Sequence, residues 1–366
     1  GGLKCFFIQR NFEMLSDNLQ SRAPMMHNIK ADAACRKIRS CFNLTKTDCA
    51  ALQRAYENCM LCPRRCGIDR TITRGFCRAG CIPQIARAAL HPWEEPCISG
   101  KEGSGTVFFA GCNLGCVFCQ NSKISRPTRF TDACANAPES EASSPSLPVR
   151  LRSSVENLVM IFYKLFAQGA NNINLVTADM FVPTVAEAIR LAKTQGFPLP
   201  FLLNTGSYLR VETLRRLDGL IDIYLPDFKF LSEKRAARYA NAPEYPETAR
   251  AAIREMVRQT GACVFDEKGL LKRGVLIRHL LLPNGLLEAK LLLKELYRTY
   301  GDTVYFSLLN QYTPLPAQLA GYAELLRPVT EREYDALVEY ALSLGIANAY
   351  MQEQGSASES YIPDFA

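Results

Sequence analysis

The stretch Thr106-Val107-Phe108-Phe109-Ala110-Gly111-Cys112-Asn113-Leu114-Gly115-Cys116-Val117-Phe118-Cys119-Gln120-Asn121 decides the reading of this chain. Apolar Val107 to Ala110 reads as a short buried strand that stops at a glycine. Three cysteines follow at the spacing Cys-x3-Cys-x2-Cys. Close-set thiolates are the usual protein ligands of a [4Fe–4S] cube. Three thiolates at this spacing, those of Cys112, Cys116 and Cys119, can hold three irons and leave the fourth open, as a catalytic zinc keeps one open position. A structural zinc that borrows a fourth ligand from elsewhere is the alternative for the same three residues.

Downstream, the pattern alternates between strand and helix. Strands are expected over Asn171–Val176, Leu199–Leu203, Leu220–Leu225, Val275–Leu282 and Val304–Leu309. Helices are expected over Val155–Gln168, Val185–Lys193, Val211–Leu217, Glu247–Gln259 and Glu288–Tyr300. Repeated βα units predict a parallel sheet covered by helices. About 220 residues from Thr106 to Pro328 suit a partial, open βα barrel of about six units better than a closed one of eight. The fold class is therefore α/β, with a Cys-rich N-terminal extension over 1–100 and the barrel with a C-terminal extension over 101–366. Arg126 to Arg152 contains four prolines and a Glu-Ala-Ser-Ser run, which reads as a surface excursion or a lid. Thr47–Asn58 reads as a short helix, and Ile85–Leu90 as a helical turn ended by Pro92 and Pro96.

A second cysteine set stands upstream in Cys59-Met60-Leu61-Cys62-Pro63-Arg64-Arg65-Cys66-Gly67, followed by Gly75-Phe76-Cys77-Arg78-Ala79-Gly80-Cys81. Cys59, Cys62, Cys66 and Cys77 form the best foursome for a second metal site, either zinc or an iron–sulfur cluster, since both accept four thiolates. Cys81 is a substitute or a free neighbour.

Composition limits the function classes. Fifteen cysteines in 366 residues, bunched in metal-like spacings, do not form the framework of a small disulfide scaffold. A reducing cytoplasm suits them. No run of about 18 apolar residues reads as a membrane span, and the start Gly1-Gly2-Leu3-Lys4 does not read as a secretory signal. The net charge of +7 lies in the first 100 residues, which hold fifteen Lys and Arg against eight Asp and Glu. Nothing else supports nucleic acid, so a solvated basic surface is the plainer reading.

The motifs together resemble the radical S-adenosylmethionine superfamily. Within it, they resemble a cytoplasmic branch homologous to pyruvate formate-lyase activating enzymes. The resemblance runs from about Asn58 to the C-terminus. It rests on the two cysteine runs and on Asn174-Leu175-Val176-Thr177, Leu220-Ile221-Asp222-Ile223-Tyr224-Leu225-Pro226-Asp227-Phe228-Lys229, Arg278-His279-Leu280-Leu281-Leu282-Pro283 and Asn310-Gln311-Tyr312-Thr313-Pro314. It implies one [4Fe–4S] cluster whose open iron binds S-adenosylmethionine. It further implies reductive cleavage to a 5′-deoxyadenosyl radical, an electron donor such as a flavodoxin or ferredoxin, and a substrate that gives up hydrogen. A glycyl radical protein is one such substrate; a peptide, small molecule or RNA is another. A non-catalytic metal-stabilised binding or maturation protein is the reading from a different class.

Strand ends carry the ligands in such a fold. Thr177 ends the second strand, and backbone carbonyls near it are expected to meet the methionine amine. The branch carries Pro-Thr-His just beyond; this chain has Ala178-Asp179-Met180, so a proton-transferring histidine is absent there. Asn204 and Thr205 are expected to bind the cofactor's ribose or carboxylate, with a helix cap as the alternative. Asp227 and Lys229 resemble the Asp-x-Lys of activating enzymes. Arg278 and His279 sit on one strand, so one faces the barrel and the other the helices. His279 is the candidate cofactor contact. Gln311 and Tyr312 follow the last strand within reach of a substrate.

Overall fold

The structure is a computed structural model and describes residues 46–127 and 147–352. Nine strands form one sheet: β1 Ile85–His91, β2 Ser104–Phe109, β3 Ile173–Val176, β4 Phe201–Thr205, β5 Ile223–Pro226, β6 Val264–Phe265, β7 Leu271–Leu280, β8 Tyr305–Leu309 and β9 Ala349–Met351. Their order is β1-β2-β3-β4-β5-β7-β8-β9, with β6 beside β7. From β2 to β9 the order is parallel throughout, and β1 and β6 pair antiparallel to their neighbours. Among the described residues no ladder joins β1 to β9, so the sheet is not closed.

Helices return the chain between successive parallel strands, as crossover connections must. They are Leu147–Ala167, Val182–Thr194, Val211–Leu214, Glu233–Ala240, Tyr245–Thr260, Leu286–Tyr300 and Glu331–Ser343. Side chains alternate between the two faces of each strand. Val107, Leu175, Leu203, Tyr224, Ile277 and Phe306 pack toward the helices in the larger core. Leu202, Ile223, Leu225, Leu276 and Tyr305 face the other way, into a smaller core closed by Cys97 and Ile98 of the short helix Pro96–Ser99.

The expected βα alternation holds, with shifted ends. The third expected strand begins at Phe201 rather than Leu199 and runs through Asn204 and Thr205, so those residues lie in β4 and not beyond it. The helix expected from Val155 already begins at Leu147, which removes 147–152 from the surface excursion. Residues 128–146 of that excursion lie outside the described residues, as do 1–45. One expectation is overturned: Ile85–Leu90 is a strand and not a helical turn. Its alanines favour helix intrinsically, but antiparallel pairing with β2 from Ile85↔Phe109 to His91↔Ser104 outweighs that weak preference. The parallel strand β9 had no sequence signal of its own. Among the described residues no helix is long and apolar enough to cross a membrane.

Candidate functional site

The cysteine loop leaves β2 through Gly111, whose φ of +91° favours glycine. A Cβ there would stand 2.7 Å from the Cys77 carbonyl oxygen, so a side chain has no room. Backbone bonds then fix the loop on three sides. Cys112 N–H donates to Cys77 O (3.1 Å), Gly115 N–H to Ala240 O (3.3 Å) and Val117 N–H to Tyr239 O (2.9 Å). The Asn113 side chain donates to Tyr208 O (2.7 Å), and Arg126 Nη2 donates to Leu114 O (2.9 Å). Phe118 packs edge-on against Phe230 and Tyr312.

The three thiols lie within electrostatic reach of one another. Burial, and then Cys116 and Cys119, push the Cys112 thiol well up. Burial pushes Cys116 up to about 11, against the opposing pull of Lys229. Cys119 Sγ lies 3.3 Å from Ser125 Oγ. Buried thiols of this kind ionise when a metal takes the proton's place. Among the described residues no three Cys, His, Asp or Glu side chains stand in coordination for a single metal ion.

Beside the loop lies a polar network that the parallel strands assemble. Arg278 on β7 donates through Nε to Asp227 Oδ1 (2.9 Å), through Nη1 to Glu94 Oε1 (3.0 Å) and through Nη2 to Asn204 Oδ1 (2.6 Å). Glu94 Oε2 also accepts from Asn174 of β3 (2.8 Å) and from Asn204 of β4 (3.1 Å). Side chains of β3, β4 and β7 thus meet on one carboxylate, which draws those strands around it. Lys229 Nζ donates to Asp227 Oδ2 (2.5 Å). Burial alone would raise the Asp227 carboxyl; Arg278 and Lys229 outweigh it and hold the group below its ordinary range. Lys229 carries this network's charge to Cys116.

The other expected site residues divide. Thr205 Oγ1 donates to the buried Asp179 carboxylate. Burial pushes Asp179 up to about 6, so a titratable acid occupies the segment where the resemblance led us to expect histidine. Thr177 has φ +58°, an uncommon conformation for a β-branched residue, and its N–H donates to Asn204 O (2.9 Å). Of the pair on β7, Arg278 joins the network and His279 turns away. The His279 Nδ1 lies 2.7 Å from Phe228 O, and burial pushes its ring down to about 4, so it is neutral at physiological pH. Gln311 accepts through its main-chain oxygen from Gln120 Nε2 (2.8 Å), while Tyr312 is buried with its hydroxyl on Leu325 O (2.6 Å).

Glu94 and Glu95 were not anticipated. They precede the short helix that closes the smaller core, between Pro92 and Pro96. The only sequence signal was two adjacent acids in an otherwise basic front region. Glu95 accepts from Ser307 Oγ of β8 (2.9 Å), and burial pushes its carboxyl up to about 7, against the pull of Arg278. An acid raised on folding binds its proton more tightly folded than unfolded, so its contribution to stability falls as pH rises from the unfolded value through 7. Glu95→Gln should therefore flatten this part of the pH dependence, worth about 3 kcal/mol between roughly pH 4 and pH 8. Urea midpoints across that range check it, and parallel curves for the two proteins would refute it.

The front cysteines lie along one folded turn. Cys59 N–H donates to Ile68 O (2.9 Å) and Gly67 N–H to Cys59 O (3.0 Å), closing a hairpin around Cys62 and Cys66. Burial pushes Cys62 up to about 12, with Cys77, Cys59 and Cys66 adding to the rise.

No family model matches the chain. It is 27% identical over 286 residues to an uncharacterized protein of Methanocaldococcus jannaschii, a match that covers 78% of this chain and 75% of that protein.

Proposed function

We propose that the chain is a radical S-adenosylmethionine enzyme, similar to the activating enzymes of pyruvate formate-lyase, with the sheet forming an open βα barrel. The observation that carries this reading is the loop after β2. There backbone bonds to Cys77, Ala240 and Tyr239 hold the segment that bears Cys112, Cys116 and Cys119 just beyond the end of a parallel strand, where such folds place their chemistry. These three thiols would hold a [4Fe–4S] cluster, and their number leaves one iron for the cofactor. The chemistry supplied when cluster and cofactor are bound is one-electron cleavage of S-adenosylmethionine, followed by hydrogen abstraction from a substrate.

The chain's own residues prepare that site. Lys229 favours the Cys116 thiolate by its charge, and Asp227 orients Lys229. Asn204 and Thr205, at the end of β4, spend their side chains on Arg278, Glu94 and Asp179 and so hold that polar network in place beside the loop. Phe118, Phe230 and Tyr312 form an aromatic cluster that anchors the loop. Electrons come from a small donor such as a flavodoxin or ferredoxin. A protein segment is the substrate that an open barrel admits, and the compartment is the cytoplasm.

The test is anaerobic reconstitution with iron and sulfide, then incubation with S-adenosylmethionine and dithionite. The expected product is 5′-deoxyadenosine, formed only when the reconstituted protein, S-adenosylmethionine and dithionite are all present. Bound iron with no 5′-deoxyadenosine would replace this reading with that of a metal-stabilised binding protein.

A further inference from the structure

The front region holds a permanent charge that the described protein groups do not balance. Arg70 is 1% exposed. A guanidinium stays protonated at any ordinary pH, so this is a buried cation. Its Nε donates to Ala79 O (3.1 Å), Nη1 to Met180 O (2.6 Å) and Nη2 to Gly80 O (2.5 Å). The rings of Tyr56 and Phe181 lie 4.9 and 5.4 Å away. Among the described residues no carboxylate lies within ion-pairing distance of it. Its remaining contact is Cys59 Sγ, at 3.8 Å from Nη1. A buried charge without a counter-charge costs several kcal/mol, and neutral thiols cannot supply one.

We propose that Cys59, Cys62, Cys66 and Cys77 bind a metal centre as four thiolates, and that Arg70 is its built-in counter-cation. A divalent ion or a [4Fe–4S] core with four thiolates carries a net negative charge, which is what the Arg70 pocket lacks. The backbone supports convergence. Arg65 at φ +40° and Gly67 at φ +63° fold the Cys62–Cys66 turn back on itself, and Cys66 Sγ comes to 3.8 Å from Cys59 O. A Cβ on Gly75 would stand 3.3 Å from Cys66 Sγ, so the turn leading to Cys77 passes directly against that sulfur. The thiols do not stand in single-ion coordination beforehand; metal binding and loss of the thiol protons draw them together.

The centre also has a task. Cys77 O accepts the Cys112 N–H (3.1 Å). Arg64, between Cys62 and Cys66, donates to Asn113 O (2.6 Å) and lies 3.4 Å over the Phe76 ring. A metal that fixes Cys62, Cys66 and Cys77 therefore clamps the loop that presents Cys112. This second role rests on the radical-enzyme reading; the metal site itself does not.

The experiment uses the full chain purified without oxygen, with Cys112, Cys116 and Cys119 all changed to Ala. Iron, sulfide and zinc are measured per chain. The expected result is about one zinc, or about four irons with matching sulfide, remaining bound. Adding Cys66→Ser, on the surface and least able to unfold the chain, should release that metal. Arg70→Met should speed its removal by a chelator at least tenfold, and Arg70→Lys should do so less. A triple variant free of zinc and iron overturns the site. Equal chelation rates for wild type and Arg70→Met overturn the counter-cation. If 5′-deoxyadenosine never forms but metal persists in the triple variant, the radical reading fails and the metal centre stands.

Discussion

Cys116→Ala should abolish formation of 5′-deoxyadenosine. Cys116 is the middle thiol of the loop, the one whose ionisation Lys229 assists most directly. A thiolate cluster ligand has no substitute among the neighbouring groups: Ser125 Oγ sits by Cys119, and the described carboxylates nearby are committed to Arg278, Lys229 and Thr205. Turnover should therefore fall to the level of reductant alone. Iron should drop by the content of one cluster, while metal held by the front cysteines stays. Cleavage at the wild-type rate in Cys116→Ala would remove the loop from the chemistry. A partial loss in Lys229→Met, with iron retained, would separate its electrostatic help from ligation.

The fold was legible where hydrophobic period and turn residues agree. Val107 to Phe109 is apolar, lies in the sheet and ends at Gly111, and the later strands follow the same rule. The end of β4 was misplaced because Asn204 and Thr205 are polar, and polarity usually marks the end of a buried strand. Here it marks the site: both side chains point at charged partners within the fold. Ile85 to Leu90 was misread because local propensity carries no information about a pairing partner on another strand. The cysteine spacing was legible because loop ligands are close in sequence. Glu94 was not, since it meets Arg278 across 184 positions. Only the register of the parallel strands brings the two together. The alternation argument did anticipate that Arg278 and His279 part ways, but not which of them enters the network.

Arg278→Met should be the most destabilising single change in the polar network. The side chain is 13% exposed and ties two carboxylates and an amide together. Removing it leaves Glu94 and Asp227, themselves 11% and 20% exposed, facing each other without their shared cation. Asp227 keeps Lys229, so Glu94 bears most of the penalty, with the Asn174 and Asn204 amides as its side-chain hydrogen-bond donors. Breaking a buried pair by deleting one partner costs about 3–5 kcal/mol, and a similar loss is expected here in urea unfolding. Arg278→Lys should recover little, because an ammonium cannot span three acceptors in one plane as a guanidinium does. Glu94→Gln should behave differently: mild alone, and in the Arg278→Met background partly restoring, since it removes the stranded charge. The double-mutant cycle is the check. A cost under about 1 kcal/mol for Arg278→Met, or no recovery when Glu94→Gln is added, would show that solvent reaches these groups and that the network does not hold β3, β4 and β7 around the site.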